Sequence, residues 1–162
     1  RRRRTGYANY LDQLISRLGL QAHIEPLGTL SVRQMTSEYR KAHLFVLPSF
    51  IENSPNSLGE AMMIGTPTVA SFVGGIPSMV TPGVEALTFP SGDEAVLAEQ
   101  IRRIFLDKEL GEALSSKAKS SARSRHSPKR IVEDMLHIYS SVIAQHSNGS
   151  SRGLSNSEKV SV

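Results

Sequence analysis

The chain has 162 residues, 39% of them hydrophobic and 21% charged, the size and composition of one globular domain or of one domain with a tail, and unlike collagen, coiled-coil or wholly disordered chains. It contains no cysteine, which excludes a disulfide framework, a thiol nucleophile and a zinc–cysteine site. The formal net charge of +4 is supplied by the arginines at 1–4, since the other fifteen basic residues balance fifteen acidic ones; a charge run at one end reads as a solvated terminus rather than a nucleic-acid face.

The first periodic segment covers residues 5–18, where Tyr7, Leu11, Leu14, Ile15 and Leu18 recur at steps of three and four. This predicts an amphipathic helix closed by Gly19 in a left-handed cap. A short extended piece is expected at 23–27, ending at Gly28, and Ser31 with Gln34 makes a capping box for a helix running to about Lys41. Residues 44–47, Leu-Phe-Val-Leu closed by Pro48, read as a strand buried on both faces, as in a parallel sheet. A polar loop at 49–55 then leads to a helix at 56–64 with Gly65 as its cap, and a strand follows at 68–71.

Gly74, Gly75 and Pro77 mark the next loop, either a plain tight turn or a ligand loop. Pro82-Gly83 makes a turn, and a short strand is expected at 86–89. Asp93 caps a helix whose Val96, Leu97, Ile101, Ile104 and Phe105 form one stripe facing the sheet, and a second helix covers 108–125. Ser127-Pro128 starts the last helix with a serine cap and a proline in its first turn; this helix carries Ile131, Met135, Ile138, Tyr139 and Val142. Residues 146–162, rich in Ser, Asn and Gly, are expected to form a disordered tail, leaving 1–145 as the folded domain. The alternation of strand and helix predicts an α/β, doubly wound parallel sheet.

Ligands of open parallel sheets bind at the carboxyl ends of the strands, which directs attention to the loop after Leu47. Its sequence is Pro48-Ser49-Phe50-Ile51-Glu52-Asn53-Ser54-Pro55-Asn56-Ser57-Leu58-Gly59-Glu60-Ala61. Glu52 lies in the loop and Glu60 about one turn into the next helix, so both can reach one cleft. Between them is a helix N-terminus, where unpaired N–H groups and the positive end of the helix dipole favour phosphate oxygens. A carboxylate beside such a site can accept hydrogen bonds from vicinal sugar hydroxyls, an arrangement suited to a nucleotide sugar. The stretch Asn56-Ser57-Leu58-Gly59 lacks the leading glycine of a hydrolase nucleophile elbow, since Pro55 stands there. The five histidines show no His-Glu-x-x-His or similar metal spacing.

At these residues the chain resembles the retaining GT-B glycosyltransferases of the large group 1 family, whose hallmark is this Glu-x7-Glu element. The likeness extends upstream through Leu18-Gly19-Leu20, Ile24, Leu27-Gly28, Tyr39, Ala42 and Val46-Leu47-Pro48-Ser49. Downstream it takes in Glu60-Ala61-Met62, Gly65-Thr66-Pro67, Val69-Ala70-Ser71, Gly74-Gly75-Ile76-Pro77 and Tyr139. It implies a Rossmann-like donor domain, the C-terminal half of a GT-B fold. The implied activity is transfer of a sugar from a nucleotide-diphosphate sugar with retention of configuration and no metal or other cofactor. Glu52 would lie near the donor sugar as the catalytic carboxylate, and Glu60 would bind the ribose. The amides of Asn56, Ser57 and Leu58 would hold the diphosphate, and Leu27 and Gly28 would line the base.

The likeness has departures: Ser78 follows Pro77 where the family often has glutamate, and His43 stands where aspartate is frequent. It also implies that this stretch lacks the acceptor-binding domain and the first strand–helix unit with its basic pair, so that the chain alone is inactive. Polysaccharide assembly in the cytoplasm, at the inner face of the membrane, is the expectation by analogy; no apolar run approaches the roughly 20 residues of a membrane helix and no secretory segment follows the arginines. A second reading is a non-catalytic remnant that binds nucleotide or docks on another protein.

Overall fold

A computed structural model describes residues 6–150, with side chains through 146. The arginines at 1–4 and residues 151–162 of the expected tail lie outside the described residues. The chain forms two compact units, divided between Met35 and Thr36.

In the first unit, α1 (Gly6–Arg17) ends where Gly19 takes φ +68°. The amide of Leu20 donates to Ile15 at 3.0 Å and that of Gly19 to Ser16 at 3.1 Å, the paired closure of a Schellman end. The extended piece expected at 23–27 does not form a strand. Residues Gln21–His23 make a 3-10 turn and the chain then runs irregularly: an isolated strand has no ladder partner, and Pro26 has no N–H to give to one. The capping box is present, with Ser31 N donating to Gln34 Oε1 at 2.9 Å and Gln34 N to Ser31 Oγ at 3.4 Å. It opens α2 (Val32–Lys41), which crosses from the first unit into the second.

The second unit is α/β. Strands β1 (Phe45–Leu47), β2 (Thr68–Ser71) and β3 (Leu87–Phe89) form a parallel sheet in the order β1-β2-β3, in register Leu47↔Ala70 and Val69↔Leu87. Helix α3 (Asn56–Ile64) is the crossover from β1 to β2. After β3 come α4 (Glu94–Leu106), α5 (Lys108–Arg125) and α6 (Pro128–Ser150). Asp93 and Asp107 cap α4 and α5 by accepting from Val96 N and Leu110 N, both at 2.9 Å.

Alternation along β2 divides the core between two faces. Leu47 and Ala70 pack with Leu58 and Met62 of α3 and with Ala118 and Ala122 of α5. On the other face Val69, Leu87 and Phe89 pack with Ile104 of α4 and Leu114 of α5, flanked by Val96, Leu97 and Ile101. The side chains of Leu58, Met62 and Leu114 are fully buried, each contributing roughly 1.5–3 kcal/mol. Phe105 departs from the expected stripe: it is exposed and stacks on His43 at 4.4 Å, because α4 turns that position past the edge of its packed face. The tail boundary also moves, since residues 146–150 continue α6. The helical period begun at Ile131 carries the backbone on past the change in composition. Among the described residues no helix is long and apolar enough to cross a membrane.

Candidate functional site

All three strands point the same way, so their carboxyl ends deliver the loops at 48–55, 72–79 and 90–93 to one end of the sheet. Small hydroxyls join these loops. The carbonyl of Ser49 accepts from Ser71 Oγ at 2.7 Å and from Ser91 Oγ at 3.2 Å. One step on, Ser49 Oγ donates to Glu52 Oε1 at 2.7 Å, while the Glu52 carbonyl accepts the amide of Gly75 at 2.9 Å. Glu52 is thus held at both its main chain and its carboxylate.

The glycine pair explains how the loops come so close. A Cβ on Gly74 would lie 1.7 Å from Glu52 O, and one on Gly75 1.3 Å from Asn53 O. Gly74 also has φ +54°, a conformation that favours glycine. The pair is a close-packed support under the Glu52 loop, which settles the backbone reason for Gly74-Gly75. Met79, at the end of the same segment, accepts on its sulfur from Ser54 Oγ at 3.8 Å. The segment is in turn fastened to the end of α5 by Arg125, whose Nη2 donates to Met79 O at 2.9 Å and Ser78 O at 3.2 Å.

Pro55 is the N-cap of α3, in extended conformation and without a side-chain cap. It has no N–H, and the amides of Asn56 and Ser57 take no partner among the described residues. Leu58 is different: its amide donates to Pro55 O at 3.1 Å and its side chain is fully buried. The first turn closes back on the proline carbonyl, so the free donors at this helix start are two rather than the expected three.

Glu60, one turn along α3, is exposed, and its Oε2 lies 3.5 Å from the hydroxyl of Tyr39, which also donates to Ser57 O at 3.2 Å. Tyr39 itself is only 5% exposed. Burial, followed by the charge and hydrogen bonding of Glu60, pushes its phenol above the ordinary tyrosine range. Neither Glu52 nor Glu60 is in an ion pair among the described residues, so both keep acceptor capacity for hydroxyl donors. Among the described residues no three His, Asp or Glu side chains gather as a metal site requires. Leu27 and Gly28 lie in the first unit, in the irregular segment before α2. Leu27 is exposed, and Gly28 has φ +67° with open space where a Cβ would be.

An open hollow of about 340 Å³ is lined by Ser121, Ser124, Arg125, Arg130 and Asp134, none of them a residue expected to bind ligand. Sequence reasoning assigned no role to Tyr39, nor to Ser71 and Ser91. Tyr39 had a visible signal as the sole aromatic residue of a strongly polar helix, but the residues its hydroxyl meets are 18 and 21 positions away, a distance no local pattern spans.

Residues 5–121 match the family model described as glycosyl transferases group 1. The D-inositol 3-phosphate glycosyltransferase of Geodermatophilus obscurus is 31% identical over 144 residues, covering 89% of this chain and 31% of the relative. Among solved structures, the sucrose-phosphate synthase of Thermosynechococcus elongatus superposes with a TM-score of 0.77 at 25% identity, covering 90% of this chain and 37% of that one. The Anabaena protein HepE, in complex with UDP-glucose, gives a TM-score of 0.76 at 27% identity, covering 83% and 37%. The chain therefore spans about a third of the length of the proteins it matches.

Proposed function

Because the chain belongs to the group 1 glycosyl transferases, we propose that it is the donor-binding part of an enzyme moving a sugar from a nucleotide-diphosphate sugar to an acceptor with retention of configuration. The observation that carries this reading is the start of α3, where the two unpaired amides of Asn56 and Ser57 lie in sequence between the carboxylates of Glu52 and Glu60. The amides hold the diphosphate and stabilise the charge that builds on it as the bond to the anomeric carbon breaks. Glu60 accepts hydrogen bonds from the ribose hydroxyls. Glu52, fixed by Ser49 and Gly75, faces the sugar being transferred. The fold family and the UDP-glucose complex of HepE make a UDP-sugar the first donor to test.

On this reading the acceptor is held by another part of the enzyme, since transfer depends on holding donor and acceptor together. Binding of the diphosphate through backbone amides needs no metal, so chelator leaves it unchanged. By analogy with the family alone, we propose an acceptor in polysaccharide assembly at the cytoplasmic face of the membrane.

Calorimetric titration of the chain with UDP, GDP and ADP tests the reading and identifies the base. We expect one of the three to bind, and Glu60→Ala to weaken it about tenfold, the loss of hydrogen bonds worth about 1.4 kcal/mol. Equal binding by the variant, or none by the unaltered chain, rejects the site. The chain alone is expected to give no transfer to simple acceptors; measurable turnover would contradict the division of the cleft.

A further inference from the structure

We infer that Tyr39 is the positioning residue for Glu60, its buried phenol fixing the carboxylate and the first turn of α3 so that the ribose of a nucleotide meets an acceptor already oriented. The inference deepens the donor-binding reading and rests on it.

Tyr39 is anchored independently of α3. Its ring stands edge-on to Phe45 of β1, with centroids 5.3 Å apart and planes at 83°, and its carbonyl accepts from Thr66 Oγ1 at 2.8 Å, at the entry to β2. The ring therefore rests against the sheet, and the hydroxyl oxygen meets the helix. There it meets two acceptors, Ser57 O at 3.2 Å and Glu60 Oε2 at 3.5 Å. A phenylalanine would fill the same space and keep the ring contact. The hydroxyl adds a donor aimed at the turn that carries both a free amide and the ribose carboxylate.

Glu60 needs such a restraint. It is exposed on a helix and forms no ion pair among the described residues, so without Tyr39 its side chain samples several rotamers, which costs entropy when a ligand selects one. A phenol is protonated at neutral pH in any case, and burial with the Glu60 charge raises its pKa further, so Tyr39 remains a donor. A ribose hydroxyl pair can then use the carboxylate lone pairs left free by the phenol.

The test compares the unaltered chain, Tyr39→Phe and Glu60→Gln in titrations with UDP and 2′-deoxy-UDP. Tyr39→Phe is expected to weaken UDP three- to tenfold but 2′-deoxy-UDP by less than twofold, so the preference for ribose falls while the melting temperature changes little. Unchanged UDP affinity and ribose preference in a folded Tyr39→Phe protein overturn the proposal alone. Absence of UDP binding by the unaltered chain overturns the donor reading, and the proposal with it. Tyrosine absorbance followed against pH gives a second readout that does not depend on folding of Tyr39→Phe. Tyr39 should ionise above the ordinary tyrosine range, and its midpoint should fall in Glu60→Gln; a midpoint unmoved by that substitution shows no coupling between the two side chains and overturns the proposal.

Discussion

A methyl group on Gly75 has nowhere to go. The position it would occupy is 1.3 Å from the Asn53 carbonyl oxygen, and the obstacle is backbone, which cannot rotate aside. Gly75→Ala is therefore expected to destabilise the fold by about 3 kcal/mol or more, measured by denaturant unfolding; a change under about 0.5 kcal/mol would show that the two loops do not pack as described. Glu85 makes a different residue-scale prediction. Burial alone would raise its pKa, but hydrogen bonds from Thr81 and Ser121 and the charge of Arg125 bring it below the ordinary carboxylate range. With the folded pKa depressed, the stabilisation is present above the unfolded value and is lost as pH falls through the folded one. Glu85→Gln should lower stability at neutral pH and flatten its decline on the acid side, as followed by thermal unfolding; an acid decline as steep as in the unaltered chain would contradict the assignment.

Helices with their own punctuation could be read from sequence: Asp93 marks the start of α4 and Gly65 the end of α3 because capping is a local interaction. The strands of 3–4 residues were legible from their breakers and apolar runs. The failures are non-local. The piece at 23–27 is extended in composition but lacks a partner strand, Phe105 fits its stripe by period but misses the packed face, and α6 continues past the point where apolar residues thin out. The candidate site divides in the same way. Glu52, Glu60 and the helix start between them are adjacent in sequence and could be named. The clamp of Arg125 on residues 78 and 79, the phenol of Tyr39 and the tie of Gly75 to Glu52 join segments 18 to 47 residues apart and exist only once the sheet has formed. At this scale Leu114→Ala, which removes a buried contact of α5 with the face of β2 carrying Val69, should cost about 2–5 kcal/mol in unfolding experiments while leaving nucleotide affinity unchanged. Loss of affinity in the folded variant would place the binding site elsewhere.

For the whole molecule, the parallel order of β1, β2 and β3 gathers three loops at one end of the sheet, and the packing of helices on both faces of β2 makes that end rigid enough to present backbone amides in fixed positions. The chain belongs to the group 1 glycosyl transferases and spans about a third of the length of the relative from Geodermatophilus obscurus; under the proposed reading this end of the sheet is where the donor binds. The most direct test is amide NMR of the isotope-labelled chain during titration with the nucleotide that binds. The resonances of Asn56 and Ser57 should show the largest shifts, with Leu58, whose amide is already given to Pro55, moving less. Unmoved Asn56 and Ser57 signals, with shifts confined to the hollow around Arg125 and Arg130, would contradict it.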